Sequence, residues 1–376
     1  MADIKSENTK LTQEQKDELL YSDDKIDVTT FKCPNCGGEA VFDPSKQKMR
    51  CLYCDSLFEI QNEGKAGERD LGELLEQGTV WSDAEVYQCE SCGAKEILEK
   101  QEVSMKCPFC GTSNIIKTDE LPGLKPQGIT PFKITSEQVE TIAVKWAKKK
   151  LYAPRSFKKS VKAENINGIY NPVFTFDAST RSSYNGKLGK NYTTTRYVNG
   201  KMVAETHTRY FMVSGVQDCV FDDLLVQASY NVPITRIREI EPFPTNKAVE
   251  YRTEYLRGYS ASTYSKSGKE CWSECKSVMS NAIERQILKK YDYDIKVYLN
   301  VDTKYFNQHY KYVLVPVYVG HYKYKQKLYN FYVNGHNGRI AGKTPVSAVK
   351  VSLTVLFILL LIGGFIFLAI YFDLFS

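Results

Sequence analysis

Residues 31–54 read FKCPNCGGEAVFDPSKQKMRCLYC, and this stretch decides how the first part of the chain folds. It holds two Cys-x-x-Cys pairs, Cys33/Cys36 and Cys51/Cys54, with fourteen residues between them. The same spacing recurs at Cys89/Cys92 and Cys107/Cys110. A Cys-x-x-Cys turn presents two thiolates at the separation one tetrahedral ion needs, and two such turns about fifteen residues apart close a ribbon around Zn²⁺. Gly37, Gly93 and Gly111 each follow a second cysteine, where a tight turn is needed. The eight cysteines are therefore the expected ligands of two zinc ions. A shell of four thiolates leaves no open position for water, so both sites are expected to be structural. Closure of each ribbon on its own pairs is favoured over exchange of knuckles, because the shorter loop loses less entropy. A disulfide framework is the alternative, and it needs an oxidising compartment.

The compartment is read from residues 351–372, VSLTVLFILLLIGGFIFLAIYF, which carry no charge. At 1.5 Å per residue they span about 33 Å, enough to cross a bilayer core. The segment is apolar on every side, unlike a core helix with a polar stripe. Gly363 and Gly364 do not form a G-x-x-x-G pairing motif. Arg339, Lys343 and Lys350 precede the span, so the positive-inside rule puts the bulk of the chain in the cytoplasm. Met1–Asp27 is acidic and has no apolar run, so no signal peptide is expected there. A reducing cytosol favours thiolate metal sites over disulfides.

The net charge of +6 conceals an asymmetry. Residues 1–30 carry a net −4 and residues 31–120 a net −7, whereas residues 121–350 carry +18. Nucleic-acid affinity comes mainly from Lys and Arg on phosphates, so ribbons in an acidic segment suit protein partners better, and a membrane-tethered nucleic-acid-binding protein, resting on the body's +18, is the alternative. The basic body suits an anionic leaflet.

The expected order is an acidic tail (1–30), a zinc ribbon (31–60), a polar linker (61–85) with a short helix at Asp70–Gln77, a second ribbon (86–120), a basic body (121–347) and a transmembrane helix (350–372). The fold class is α+β, the body being mainly antiparallel sheet with a few helices. Val139, Ile142, Ala143, Trp146 and Ala147 share one helical face, with Thr135 or Ser136 as cap and Pro154 as terminator. A second helix is expected at about Trp272–Lys290, with Val278, Ala282 and Ile287 apolar. Turns are expected at Asn185-Gly186, Asn199-Gly200 and Asn334-Gly335. Between Tyr310 and Tyr324, Val313, Val315, Val317 and Val319 are expected on one face of a strand and Tyr310, Tyr312, Leu314 and Tyr318 on the other. Lys323, Lys325 and Lys327 are expected to project together from a hairpin edge.

Enzymatic motifs are missing from the sequence. Gly338 and Gly342 have only three residues between them before Lys343-Thr344, one short of a phosphate-binding loop. His207, His309, His321 and His336 fall in no metalloprotease or deaminase pattern. Asp222-Asp223 reads as a turn, and the remaining alternative is a catalytic pair with a histidine. Cys219, Cys271 and Cys275 read as packed thiols. A non-enzymatic reading follows.

Several segments together carry a family resemblance: Cys33-Pro34-Asn35-Cys36-Gly37, Cys107-Pro108-Phe109-Cys110-Gly111, Pro131-Phe132-Lys133-Ile134, Trp146 with Ala153-Pro154, Tyr170-Asn171-Pro172 with Phe176-Asp177, and Val333-Asn334-Gly335 with Gly338 and Gly342. On them the chain resembles bacterial transcription factor IIB-type double zinc-ribbon membrane proteins, some of them labelled primosomal-helicase-like. The resemblance implies a membrane platform or adaptor, with phage-shock-type or flotillin-like proteins as partners. It implies no helicase, because this chain has no room for paired motor lobes.

Overall fold

The computed structural model describes residues 32–61, 64–76, 84–99, 106–113, 115–118, 124–160, 166–198, 201–324 and 327–375. The acidic segment 1–30, Asn199-Gly200 and Lys325 lie outside the described residues.

The first cysteine segment forms a separate three-stranded antiparallel sheet of β1 (Ala40–Asp43), β2 (Lys48–Cys51) and β3 (Leu57–Phe58). The other described strands join one twelve-stranded sheet. These are β4 (Arg69–Asp70), β5 (Ala84–Cys89), β6 (Lys95–Glu99), β7 (Ile115–Lys117), β8 (Gly128–Ile129), β9 (Ile166–Val198) and β10 (Lys201–Gln227). They continue with β11 (Val249–Glu250), β12 (Ser260–Ser262), β13 (Ile295–Tyr324), β14 (Lys327–Asn334) and β15 (Ile340–Gly342). The described helices are α1 (Leu71–Glu76), α2 (Ser136–Lys149), α3 (Arg155–Ser160), α4 (Ile234–Ile240), α5 (Gly268–Leu288) and α6 (Ala348–Phe375).

β9 is the spine of the large sheet. β10 lines one of its edges and β13 the other, both antiparallel. At 33 residues, β9 extends on the order of 100 Å. In the half nearer the membrane helix both faces are covered. Val313, Val315, Val317 and Val319 join one core cluster with Ile237 and Ile240 of α4. Tyr310 and Tyr312 pack with α5, and Leu314 and Tyr318 with Phe132 and α2. The alternation expected for this strand is the one observed. Farther out, Tyr184 and Cys219 pack under Ile283 and Ile287 of α5. The opposite face of that outer blade is uncovered: Met212, Val216, Val220 and Phe306 are all exposed.

Three expectations need correction. Asn185-Gly186 is not a turn but the middle of β9, where Asn185 pairs with Ser214 and Asn300. β13 bulges between Lys296 and Tyr298, and a Cβ on Gly186 would lie 2.7 Å from the Tyr298 carbonyl oxygen. Glycine is needed there for close approach rather than for reversal. The second long helix begins at Gly268, earlier than Trp272, because Ser267 and Glu270 form a capping box. This earlier start puts Cys271, Trp272, Cys275, Met279, Ile283 and Ile287 on its buried face, leaving Val278 and Ala282 on the flank. Finally, residues 64–76 of the polar stretch are built into the body. β4 pairs with β13, and Leu71 and Leu74 are buried beside α5.

Other expectations hold. α2 starts with Thr135 as its cap and ends at Lys149, before Pro154. Trp146 packs edge-on to Phe157. Asn334 ends β14, and its side chain is fully used. Its Nδ2 donates to the Ile240 and Pro242 carbonyls, and its Oδ1 accepts from the His336 and Asn337 amides. The lysine trio is a further correction: at the β13–β14 hairpin Lys323 pairs with Leu328 and Lys327 with Tyr324, adjacent rungs that face opposite sides of the sheet, so positions 323 and 327 do not share a face.

Candidate metal centres

The two cysteine groups come together as four sulfurs each, Cys33/Cys36/Cys51/Cys54 and Cys89/Cys92/Cys107/Cys110, all within 4.8 Å of one another. In the first group Cys33 Sγ lies 3.6 Å from Cys54 Sγ, and Cys36 Sγ 3.5 Å from Cys51 Sγ. In the second, the Cys89–Cys110 and Cys92–Cys107 separations are 3.6 and 3.7 Å. A tetrahedron with Zn–S bonds of about 2.3 Å has edges of about 3.8 Å, so the sulfur cages match that ion. Each group closes on its own two pairs.

All four knuckles repeat one backbone device. The amide of the first cysteine donates to the carbonyl five residues on, as in Cys33 to Gly38 (2.7 Å) and Cys107 to Thr112 (2.8 Å). The amide four residues on donates back to the first cysteine, as in Gly37 to Cys33 and Gly93 to Cys89, both 2.8 Å. That fourth residue must adopt a left-handed conformation, and Gly37, Gly93 and Gly111 have φ of 71°, 74° and 75°. The remaining knuckle uses Asp55, at φ 55°. The glycines were legible in the sequence and Asp55 was not.

Donors also point at the sulfurs. Tyr53 N–H lies 3.4 Å from Cys51 Sγ, while the Ser56 and Thr112 hydroxyls lie 3.1 Å from Cys54 and Cys110 Sγ. The Ser56 hydroxyl and amide pull the Cys54 thiol down to about 6. At Cys89 burial acts upward, but the Thr112 hydroxyl and nearby amides prevail and bring it to about 6. Their neighbours move the other way. The Gly38 amide lowers Cys36, yet its bonds to Cys54 and Cys51 carry it up to about 12, and burial takes Cys92 to about 11. Four sulfurs this close repel as thiolates, and a dication among them removes the conflict.

The two groups are seated differently. The first rests mainly on side chains, with one backbone bond from the Phe42 amide to the Arg257 carbonyl. Phe42 packs edge-on against Tyr255 at 5.2 Å, and Gln47 Nε2 donates to the Phe132 carbonyl at 2.6 Å. The second is continuous with the large sheet through β6, which pairs with β12, itself beside β9. The Asn167 amide donates to the Pro108 carbonyl at 3.2 Å, and the half-buried His321 ring abuts Gly111. Burial lowers the His321 imidazole. Glu96 on β6 is buried, and desolvation pushes its carboxyl up to about 8 despite the Ser260 hydroxyl.

The remaining candidates fall elsewhere. Cys271 and Cys275 are buried thiols that desolvation raises to about 12, and Cys219 bonds to Gln286. Asp222-Asp223 is not a turn but an extra-residue bulge opposite Asp177, between Phe221 and Leu224 of β10. Asp223, at φ 50°, donates its amide to Asp177 Oδ1 at 2.6 Å. Its carboxylate lies 2.7 Å from the buried Lys311 ammonium, which also meets Glu68 at 3.2 Å. Burial, with Glu68 and Asp223 nearby, raises Asp177 to about 6 against that amide bond. No described histidine hydrogen-bonds to Asp222 or Asp223; His207 bonds to Thr194. Sequence reading missed the grouping of Asp177, Lys311 and Glu68, because the β10 bulge and the pairing of β4 with β13 bring them together.

The α6 segment Ala348–Leu368 is long and apolar enough to cross a membrane, and none of it is buried. No family model matches the chain, and no solved structure matches it. The uncharacterized protein YdjG of Bacillus subtilis (strain 168) is 28% identical over 333 residues, covering 86% of this chain and 92% of that relative.

Proposed function

We propose that this chain is a single-pass membrane adaptor whose two structural zinc ribbons lie in the cytosol and recruit a protein partner. The observation that carries the reading is the pair of complete four-sulfur cages in a chain that also bears one uncovered apolar helix. Zinc suits an all-thiolate tetrahedral cage, and a full shell argues for a structural ion. Arg339, Lys343 and Lys350 ahead of α6 support the cytosolic side for the body. A protein partner suits the acidic ribbon segment better than nucleic acid. The first ribbon also holds Leu52, Tyr53 and Leu57 in solvent, with Tyr53 76% exposed. Phage-shock-type or flotillin-like membrane proteins are the partners to test first, on the resemblance given by the cysteine and body motifs.

The test is a pull-down of the full chain from detergent-solubilised membranes, alongside Leu52→Ser with Tyr53→Ser, with metal counted in the same samples. Two zinc ions per chain and a partner lost only from the variant are expected. Far fewer ions, or an unchanged set of partners, would overturn the reading.

The buried Asp177–Asp223–Lys311 cluster favours a second reading, a catalytic site in the body. A cleft of about 600 Å³ between α4 and α5 is lined by Asp223, Arg238, Asn281 and Arg285. A small molecule that protects the full chain against heat, but not Asp223→Asn, would support that alternative.

A further inference from the structure

The loop between α2 and α3 is tied to the first turn of the membrane helix. Ser347 N–H donates to the Tyr152 carbonyl at 2.8 Å. Lys350 Nζ donates to the Leu151 carbonyl at 3.1 Å and to the Ala153 carbonyl at 2.7 Å. Lys350 is the last charge before the uncharged run, so it marks the edge of the hydrocarbon. A loop bonded directly to it sits at the same depth.

The composition of the loop fits that depth. Leu151 is 70% exposed and Tyr152 38% exposed, although the surrounding body has a buried core available to it. An exposed leucine beside a tyrosine matches the pairing of an apolar tip with an amphipathic ring at the headgroup level. Lys148 and Lys149 end α2, Arg155 opens α3 and Lys343 precedes α6, with no acidic residue in 141–155 or 336–350. Lys150 lies over the Trp146 ring at 5.1 Å, which turns the loop outward from a rigid base.

From this the geometry points to an anionic-lipid contact at Lys148–Arg155, with Leu151 entering the leaflet and the flanking Lys and Arg meeting phosphate headgroups. The contact rests on the membrane reading above and adds to it. It fixes the orientation of the body, where a single helix alone would leave it free to swing. The bonds from Lys350 to the loop and the wholly cationic flanks argue for the anionic leaflet as the occupant.

The test replaces Leu151 by a benzophenone amino acid in the full chain, reconstituted into vesicles of phosphatidylcholine with phosphatidylglycerol. After flotation and illumination, mass spectrometry should find lipid adducts at position 151, enriched in phosphatidylglycerol. The same probe at Val216, on the open blade, should give none. Combining Lys149→Gln with Lys343→Gln should lower the phosphatidylglycerol adducts by about five-fold for each charge removed. Floating vesicles without adducts at 151, equal adducts at Val216, or adducts to protein would each overturn the inference alone. Failure of the chain to float would sink the membrane reading with it.

Discussion

The two cysteine ribbons share a spacing, a knuckle geometry and a sulfur cage, yet they relate to the rest of the molecule in opposite ways. The first is a sheet of its own, joined to the body by an apolar seat (Ala40, Phe42 and Met49 in one cluster with Tyr255 and Leu256), by Gln47 and by the Phe42 amide to the Arg257 carbonyl, but by no strand pairing among the described residues. The second contributes β5, β6 and β7 to the sheet that contains the spine. An ion in the first cage would therefore hold a module, whereas an ion in the second would hold one end of the body. Equal ligand chemistry does not imply equal structural weight.

Breaking one cage at a time tests this most strongly. Cys107→Ser should unfold strands well beyond its own ribbon, seen as lost amide protection in β12 and the adjoining part of β9. Cys51→Ser should lose protection only within residues 32–60. Structural zinc contributes on the order of 10 kcal/mol to small fingers, so both effects should be large where they fall. Equal spread from both variants would erase the distinction. A finer comparison uses the knuckle glycines. Gly37→Ala has open space around it and pays only for its left-handed backbone, about 1–2 kcal/mol. Gly111→Ala meets the same strain, and its Cβ would also sit 2.5 Å from His321 Nε2. It should lower the melting temperature more than Gly37→Ala. The smallest effect is a gain. Asp55→Gly should stabilise the first ribbon by up to about 1 kcal/mol, because Asp55 holds a glycine conformation and its 3.7 Å contact with Arg50 is exposed. Zinc retention under a competing chelator reads that difference.

Chemistry that depends on nearby residues was legible in the sequence. The eight cysteines, the α6 span and the two-faced β13 strand each follow from spacing within a few dozen residues. What depends on distant partners was not. Nothing within residues 61–85 reveals that Leu71 and Leu74 pack beneath α5, or that Glu68 reaches Lys311. Asn185-Gly186 has the composition of a reversal, but paired strands on both sides hold it straight. Asp222-Asp223 likewise has turn composition and proves to be a bulge whose meaning lies in Asp177 across the ladder. The Ser267–Glu270 capping box was readable and would have placed the start of α5 correctly.

The pairing of β6 with β12 has a consequence for synthesis. The first ribbon can complete itself soon after Cys54 leaves the ribosome, since all its strands lie within residues 40–58. The outer edge of β6, by contrast, waits for Ser260–Ser262 to be translated, and β9 waits longer still for β13. Through that interval an ion bound early would keep the nascent hairpin closed while its edge is open to mispairing. Metal supply during translation would therefore bear on yield as well as on the stability of the finished protein.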